Sequence, residues 1–321
     1  MEKKRVDWID VAKGIAIILV VVGHVGSSYH GSGQYVNSDF INFSQQFVYS
    51  FHMTLFMFIS GILFQKKSDV SVQRKQLLLN YLVPYVTFSA VWWLFKFVMS
   101  GFANSSLGVK DLLLIPVFPI SFMWFLYALL IMEIVQTFIK TDSVKAEVIQ
   151  LGTALVLYII QPLISEIHLF GKYKFSDLGL SDFMINWLYF SIGVIFGKRI
   201  VSVIEKNRLA TLFGAGIALV AGNLLLYKYP VLDSRLCDFI LGSLGVSFLI
   251  TTSQYLQSVR FLKYLGKRTM PVYVLQGYFL AATRIVLGKL HLVDSFGICP
   301  LILCTAVSVL IPVVIYELCQ R

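Results

Sequence analysis

Asp7, Asp10, Lys13 and His24 all stand within one apolar run, DWIDVAKGIAIILVVVGH at residues 7–24. Ionisable groups in a membrane-length segment cost several kcal/mol unless they face a cavity or a partner, so they are candidates for function. Lys13 and His24 are eleven residues apart. At about 100° per residue, eleven steps end within about 20° of three full helical turns, which puts both on one face about 16 Å apart. Asp10 lies about 40° from the same line. A neutral imidazole can take a proton from a hydroxyl near neutral pH. A lysine ammonium can meet a phosphate. The plainer readings are a snorkelling anchor for Lys13 and a satisfied core histidine for His24. Their shared face argues against both.

A second histidine follows in FHMTLFMFISG, residues 51–61. If that segment descends from the outer surface beside the first, His52 sits about one turn inside it, at a depth close to that of His24. The two rings could then meet across a polar pocket. Otherwise His52 is an amphipathic residue at the interface.

These residues need helices to hold them, and the composition supplies helices. The chain has 321 residues, of which 57% are hydrophobic and only 14% charged. A soluble domain would carry nearly twice that charge. Apolar stretches near 9–28, 47–64, 80–100, 118–139, 147–164, 183–197, 209–227, 236–255, 270–288 and 296–316 recur along the whole length. A span needs about 20 residues, and within lipid only helices satisfy their own backbone at that length. The fold class is therefore all-α, a polytopic bundle of about ten transmembrane helices, with one membrane domain over 1–321. The first apolar run lacks a small-residue cleavage site after it, so it reads as a retained span.

The charges set the orientation. With the N-terminus inside, eighteen of the 27 lysines and arginines fall in cytoplasmic loops and six in outer loops. That bias supports the span count and places both termini in the cytoplasm. It also explains the net charge of +10 without nucleic acid, for which no basic run with interleaved aromatics exists. Cys237, Cys299, Cys304 and Cys319 lie in or beside apolar segments without a C-x-x-C pair, and read as small core hydrophobes rather than metal ligands. No metal site is expected.

Other polar residues lie within or near spans. Glu133 follows WFLYALL (124–130) on the fourth span and either lines a cavity or pairs with a lysine. Trp124 and Tyr127 fit an interfacial aromatic belt, or a platform on which a sugar stacks. Ser60 and Gly61 permit close helix packing. Lys96, Arg284 and Glu317 lie near span ends, where snorkelling is the default.

The first-span run, followed by FHMTLFMFISG, resembles the membrane acyltransferase-3 family, and within it the fucose 4-O-acetylase-like group. WFLYALL and LGKRTMPVYVLQ (265–276) fit the same pattern. The resemblance implies a bacterial multi-pass enzyme of the cytoplasmic membrane. Such an enzyme takes an acetyl group from cytoplasmic acetyl-CoA and places it on a hydroxyl of a cell-surface or exported glycan. Acetyl-CoA is then a substrate, and no bound cofactor is expected. It implies that Lys13 and His24 are the family's basic-residue-x10-His pair, with His24 as the base or acyl-handling residue and Lys13 near CoA, where Arg74 and Lys75 also bring charge. Asp10, at the cytoplasmic mouth, pairs with Lys13 or fixes a polar network there. His52, Trp124, Tyr127 and Glu133 are the candidates for the acceptor or pocket side. Two departures stand out. QRKQLLLNYLVPY (73–85) lacks the second arginine of the family's Arg-x-x-x-Arg pattern, and Gln276 stands where many relatives have histidine. No proton transfer is assigned to Gln276.

Two other readings compete. Charged residues in spans also suit a transporter of a small molecule or acyl group, although Pro116 and Pro119 have no counterpart in the second half of the chain, as an inverted repeat would provide. A structural subunit of a polysaccharide machine is the third. The bilayer is the one partner the composition itself names. Acceptor identity and homo-oligomerisation are not legible.

Overall fold

The computed structural model describes residues 6–35, 38–98, 108–139, 143–171, 173–295 and 297–320. Lys3, Lys4, Arg5, Lys140, Lys172 and Arg321, which entered the charge count, lie outside these, as do residues 99–100 and 296 of the expected third and tenth spans. The described residues contain ten helices long and apolar enough to cross a membrane. They run Asp7–Gly31, Asp39–Leu63, Val70–Val98, Ser121–Phe138, Val144–Ser165, Gly179–Lys206, Arg208–Lys228, Arg235–Tyr255, Thr269–Lys289 and Cys299–Cys319. The all-α reading holds, with one small addition: a two-stranded antiparallel hairpin, His168–Phe170 with Tyr173–Lys174, between the fifth and sixth spans.

Helix starts follow local chemistry. Ser143 and Ser234 accept backbone N–H bonds from Ala146 and Cys237 at 3.3 Å and cap the fifth and eighth spans. Asp69 caps the third, accepting from Ser71 and Val72 at 2.9 and 3.0 Å. The Val72 backbone bond and the Ser71 hydroxyl hold the Asp69 carboxyl below the usual carboxylate range. The fourth span does not begin among the apolar residues 112–120. Pro116 and Pro119 interrupt them, a short helix Val109–Leu114 stands apart, and the span starts at Ser121.

The second span begins eight residues earlier than expected. The stretch 29–46, taken as mostly outer loop, contributes a helix Asp39–Tyr49, and after a break at Ser50–Phe51 the chain continues as His52–Leu63. Polar side chains obscure the first half in sequence, and two of them bond within this unit. Gln46 Nε2 donates to the Asn223 carbonyl at 3.1 Å and Ser44 to the Phe40 carbonyl at 2.7 Å.

The chain packs as two compact units. One comprises residues 1–56 and 201–321, and the first span is its hub. That span packs against Asp39–Tyr49, the eighth, ninth and tenth spans, and a short helix Arg260–Gly266. Two glycines allow the last contact. A Cβ on Gly14 would overlap the Leu262 carbonyl oxygen, and one on Gly266 would overlap that of Asp10. Lys263 adds an ion pair to Asp7 at 3.0 Å.

The other unit is residues 57–200. Gly61 and Gly193 let the second and sixth spans touch backbone to backbone, as Ser60-Gly61 suggested. A buried amide chain ties three spans together: Gln150 Nε2 donates to Gln136 Oε1 at 2.7 Å and to Ser191 Oγ at 3.0 Å. Cys304 is buried as expected. Cys237 is half-buried, and Cys299 and Cys319 are exposed, so the cysteines are not uniformly core residues. Glu317 does not snorkel alone; it accepts from Arg268 Nε and, at 3.0 Å, from the Tyr264 hydroxyl.

Candidate acyl-transfer site

The first unit brings the two histidines together. His24 is half-buried on the first span, and its Nδ1 is buried. His52, only 1% exposed, lies close enough for the two rings to interact electrostatically. His52 is not one turn from the outer end, as the sequence suggested. With the span running Asp39–Leu63 it sits near mid-span, at the break where Ser50 and Phe51 interrupt the helix. At the break the Val48 carbonyl accepts from the Phe51 N–H at 3.4 Å and from His52 Nδ1 at 2.7 Å. In the neutral ring that bond leaves Nε2 as a lone-pair acceptor.

Three residues that the sequence gave no role complete the surroundings. Gln276, fully buried on the ninth span, turns its side-chain amide toward His24. The Tyr49 ring stands edge-on to His52, 5.1 Å between centroids. Its hydroxyl meets Ser27 Oγ at 3.0 Å, one turn beyond His24. Gly23 makes room for it, since a Cβ there would lie 3.3 Å from the Tyr49 ring. Pairings across helices leave no periodic signal, so nothing in the run 7–24 could have announced them. Further toward the end of the first span, Tyr29 meets Cys304 Sγ at 3.3 Å. Arg284 lies within electrostatic reach of both, its Nε buried.

Lys13 lies on the same helix at half-burial, eleven residues from His24, with Asp10 buried beside it at 5% exposure. The facing predicted by helical arithmetic survives, because the first span is one unbroken helix of 25 residues.

The second unit carries the remaining candidates. Arg74 and Lys75 are not in a loop: they lie on Val70–Leu77, the first turns of the third span. Arg74 Nε donates to Thr137 Oγ1 at 2.8 Å, and the guanidinium stacks 3.6 Å from the Phe138 ring centroid. Lys75 is exposed. Beyond them the backbone forms a π-helical turn, Leu78–Leu82, a feature often found at functional sites. It carries Tyr81, whose hydroxyl donates to Glu133 Oε1 at 2.9 Å. Glu133 thus has a tyrosine partner where a lysine was one expectation. Trp124 opens the fourth span half-buried. Tyr127 donates to the Pro116 carbonyl at 2.9 Å and packs on Tyr85 at 5.2 Å. Tyr127 therefore has a demonstrable packing role.

The Tyr81–Glu133 bond is the polar tie between the π-helical turn and the fourth span. A side-chain hydrogen bond contributes about 0.5–1.5 kcal/mol, and contacting residues couple. A double-mutant cycle of Tyr81→Phe and Glu133→Leu on thermal unfolding in detergent should give a coupling of about 1 kcal/mol. Additive effects would show that the bond does not hold this turn.

A family model described as an acyltransferase domain matches residues 6–317. The chain belongs to the acyltransferase-3 family. No curated protein and no solved structure matches it. The match spans both units and includes Lys13, His24, His52 and Glu133. Membership in the acyltransferase-3 family is consistent with acyl-transfer chemistry and agrees with the ten long apolar helices among the described residues. Among the described residues no cluster of three or more His, Cys, Asp or Glu could hold a metal ion.

Proposed function

We propose that this protein is an integral membrane O-acetyltransferase that moves an acetyl group from cytoplasmic acetyl-CoA to a hydroxyl of a cell-surface or exported glycan. The observation that carries the reading is the first span. It is a single helix with a cation and an imidazole on one face, spaced about 16 Å apart and half-buried rather than sealed. CoA's phosphates are met at the cytoplasmic end of the first span by Lys13. Arg74 and Lys75 lie in the second unit, where Arg74 commits its Nε to Thr137, and are given no contact on this path. The thin pantetheine arm runs along the face toward His24. His24 takes the proton of the acceptor hydroxyl, whose oxygen attacks the thioester carbonyl. The carbon–sulfur bond breaks, and the CoA thiolate receives the proton from His24. His52, with its tautomer set by Val48, and Gln276 orient the His24 ring. Asp10 holds the polar end near Lys13.

The test is transfer of labelled acetyl from acetyl-CoA to glycan by the purified protein in vesicles. Transfer supports the reading; uptake of a solute without any transfer supports a transporter instead. In the same assay Lys13→Ala should raise KM for acetyl-CoA about tenfold, the effect of one lost charge-assisted contact of ~1.4 kcal/mol, and change kcat little. A fall in kcat at unchanged KM would move Lys13 from donor binding to the chemical step.

A further inference from the structure

The first unit contains an apolar groove on the back of the first span. Its volume is about 540 Å³, within the range of small-molecule sites. Ile18, Val22 and Gly26 of the first span form one wall, and Ile302 and Val309 of the tenth span form another. Val22 and Gly26 are each two residues from His24, about 160° around the helix from it. The groove also reaches Gly23 and Val25 on either side of His24, but neither Lys13 nor His24 lines it.

One polar group marks an end of it. Gln45, on the Asp39–Tyr49 half of the second span, lines the groove. Its amide lies over Gly26, where a Cβ would come 2.5 Å from Gln45 Nε2. That nitrogen is buried and has no hydrogen-bond partner among the described residues. A buried amide donor normally finds an acceptor, and an apolar cavity does not hold water to supply one. The ligand implied is long and apolar with an acceptor oxygen near one end. The polar lining, Ser44, Gln45 and Thr305, contains no charged side chain. It suits a neutral carbonyl better than a phosphate, which would call for a cation. Gln45 is six residues inside Asp39, about 9 Å below that end of the span, close to where hydrocarbon gives way to headgroups.

We propose that this groove binds one acyl chain of a bilayer glycerolipid, with Gln45 Nε2 donating to its ester carbonyl and the chain lying along the tenth span. The assignment does not depend on the acetyl-transfer reading.

The test is native mass spectrometry, with lipid extraction, of the full chain purified in mild detergent. One glycerolipid should be retained per protein. Ala306→Phe, which fills the groove, should reduce retention at least tenfold. Gln45→Leu, which keeps the volume and removes the donor, should reduce it severalfold. Thermal midpoints near wild type show that the variants are folded, and Gln45→Leu carries the test alone if Ala306→Phe does not fold. Equal retention in Gln45→Leu and wild type, an isoprenoid lipid in place of a glycerolipid, or detergent alone in the groove would each overturn the assignment.

Discussion

Replacing His24 by alanine is expected to lower acetyl transfer by about 10²–10⁴-fold, the usual contribution of a positioned general base, while the protein accumulates normally in the membrane. The expected loss is in kcat, because the imidazole acts on the acceptor's proton and not on the CoA phosphates. The ring's surroundings argue that this loss will not be a folding defect. The neighbouring Val48–His52 and Ser27–Tyr49 bonds do not pass through its ring. The measurement is the acetyl content of surface glycan from a His24→Ala strain, set against protein level. Unchanged acetylation at equal protein level would remove His24 from the mechanism. Loss of the protein itself would instead return His24 to the role of a core histidine, and glutamine at the same position, matching it in size and polarity, would separate that outcome from a catalytic one.

What was legible beforehand follows from how far each signal reaches along the chain. Hydropathy acts through about 20 consecutive residues, so all ten spans could be read, most with ends within a few residues. Helical periodicity acts within one span, so Lys13 and His24 could be placed on one face before any tertiary structure. Signals that cross between helices were not legible. Gln276 reaches His24 from a span some 250 residues later. Tyr49 fell within the expected second span, but the turns before it were hidden, because Asn42, Ser44, Gln45 and Gln46 dilute their hydropathy. Arg74 looked like a loop cation, since a basic segment between spans usually is one; Asp69 caps a helix there, and Thr137 with Phe138 gives the guanidinium its place. The π-helical turn at Leu78–Leu82 has no sequence signature of its own, yet it sets the partner of Glu133.

The largest effect on stability is expected from Gly266→Ala. The helix Arg260–Gly266 meets the first span at two points four residues apart on each partner, Leu262 on Gly14 and Gly266 on Asp10. At both points the atom in the way of a Cβ is a backbone carbonyl, which cannot rotate aside as a flexible side chain would. Overpacking in a well-filled core costs about 1–3 kcal/mol, and a backbone-to-backbone contact belongs at the upper end, about 3 kcal/mol. The methyl group must push apart the two helices that hold Asp10 and, three residues on, Lys13. The damage therefore falls on the cytoplasmic end of the proposed donor path, and KM for acetyl-CoA should rise with the loss of stability. Gly214→Ala is the internal control. It also lies inside a helix, the seventh span, but a Cβ there meets nothing within 4 Å. Helix propensity alone should leave that variant equal to wild type or up to about 1 kcal/mol more stable. Thermal unfolding of both variants in one detergent decides the matter. Matching midpoints would show that the two backbones separate without cost, and the close contact could then no longer be what positions the charged end of the first span.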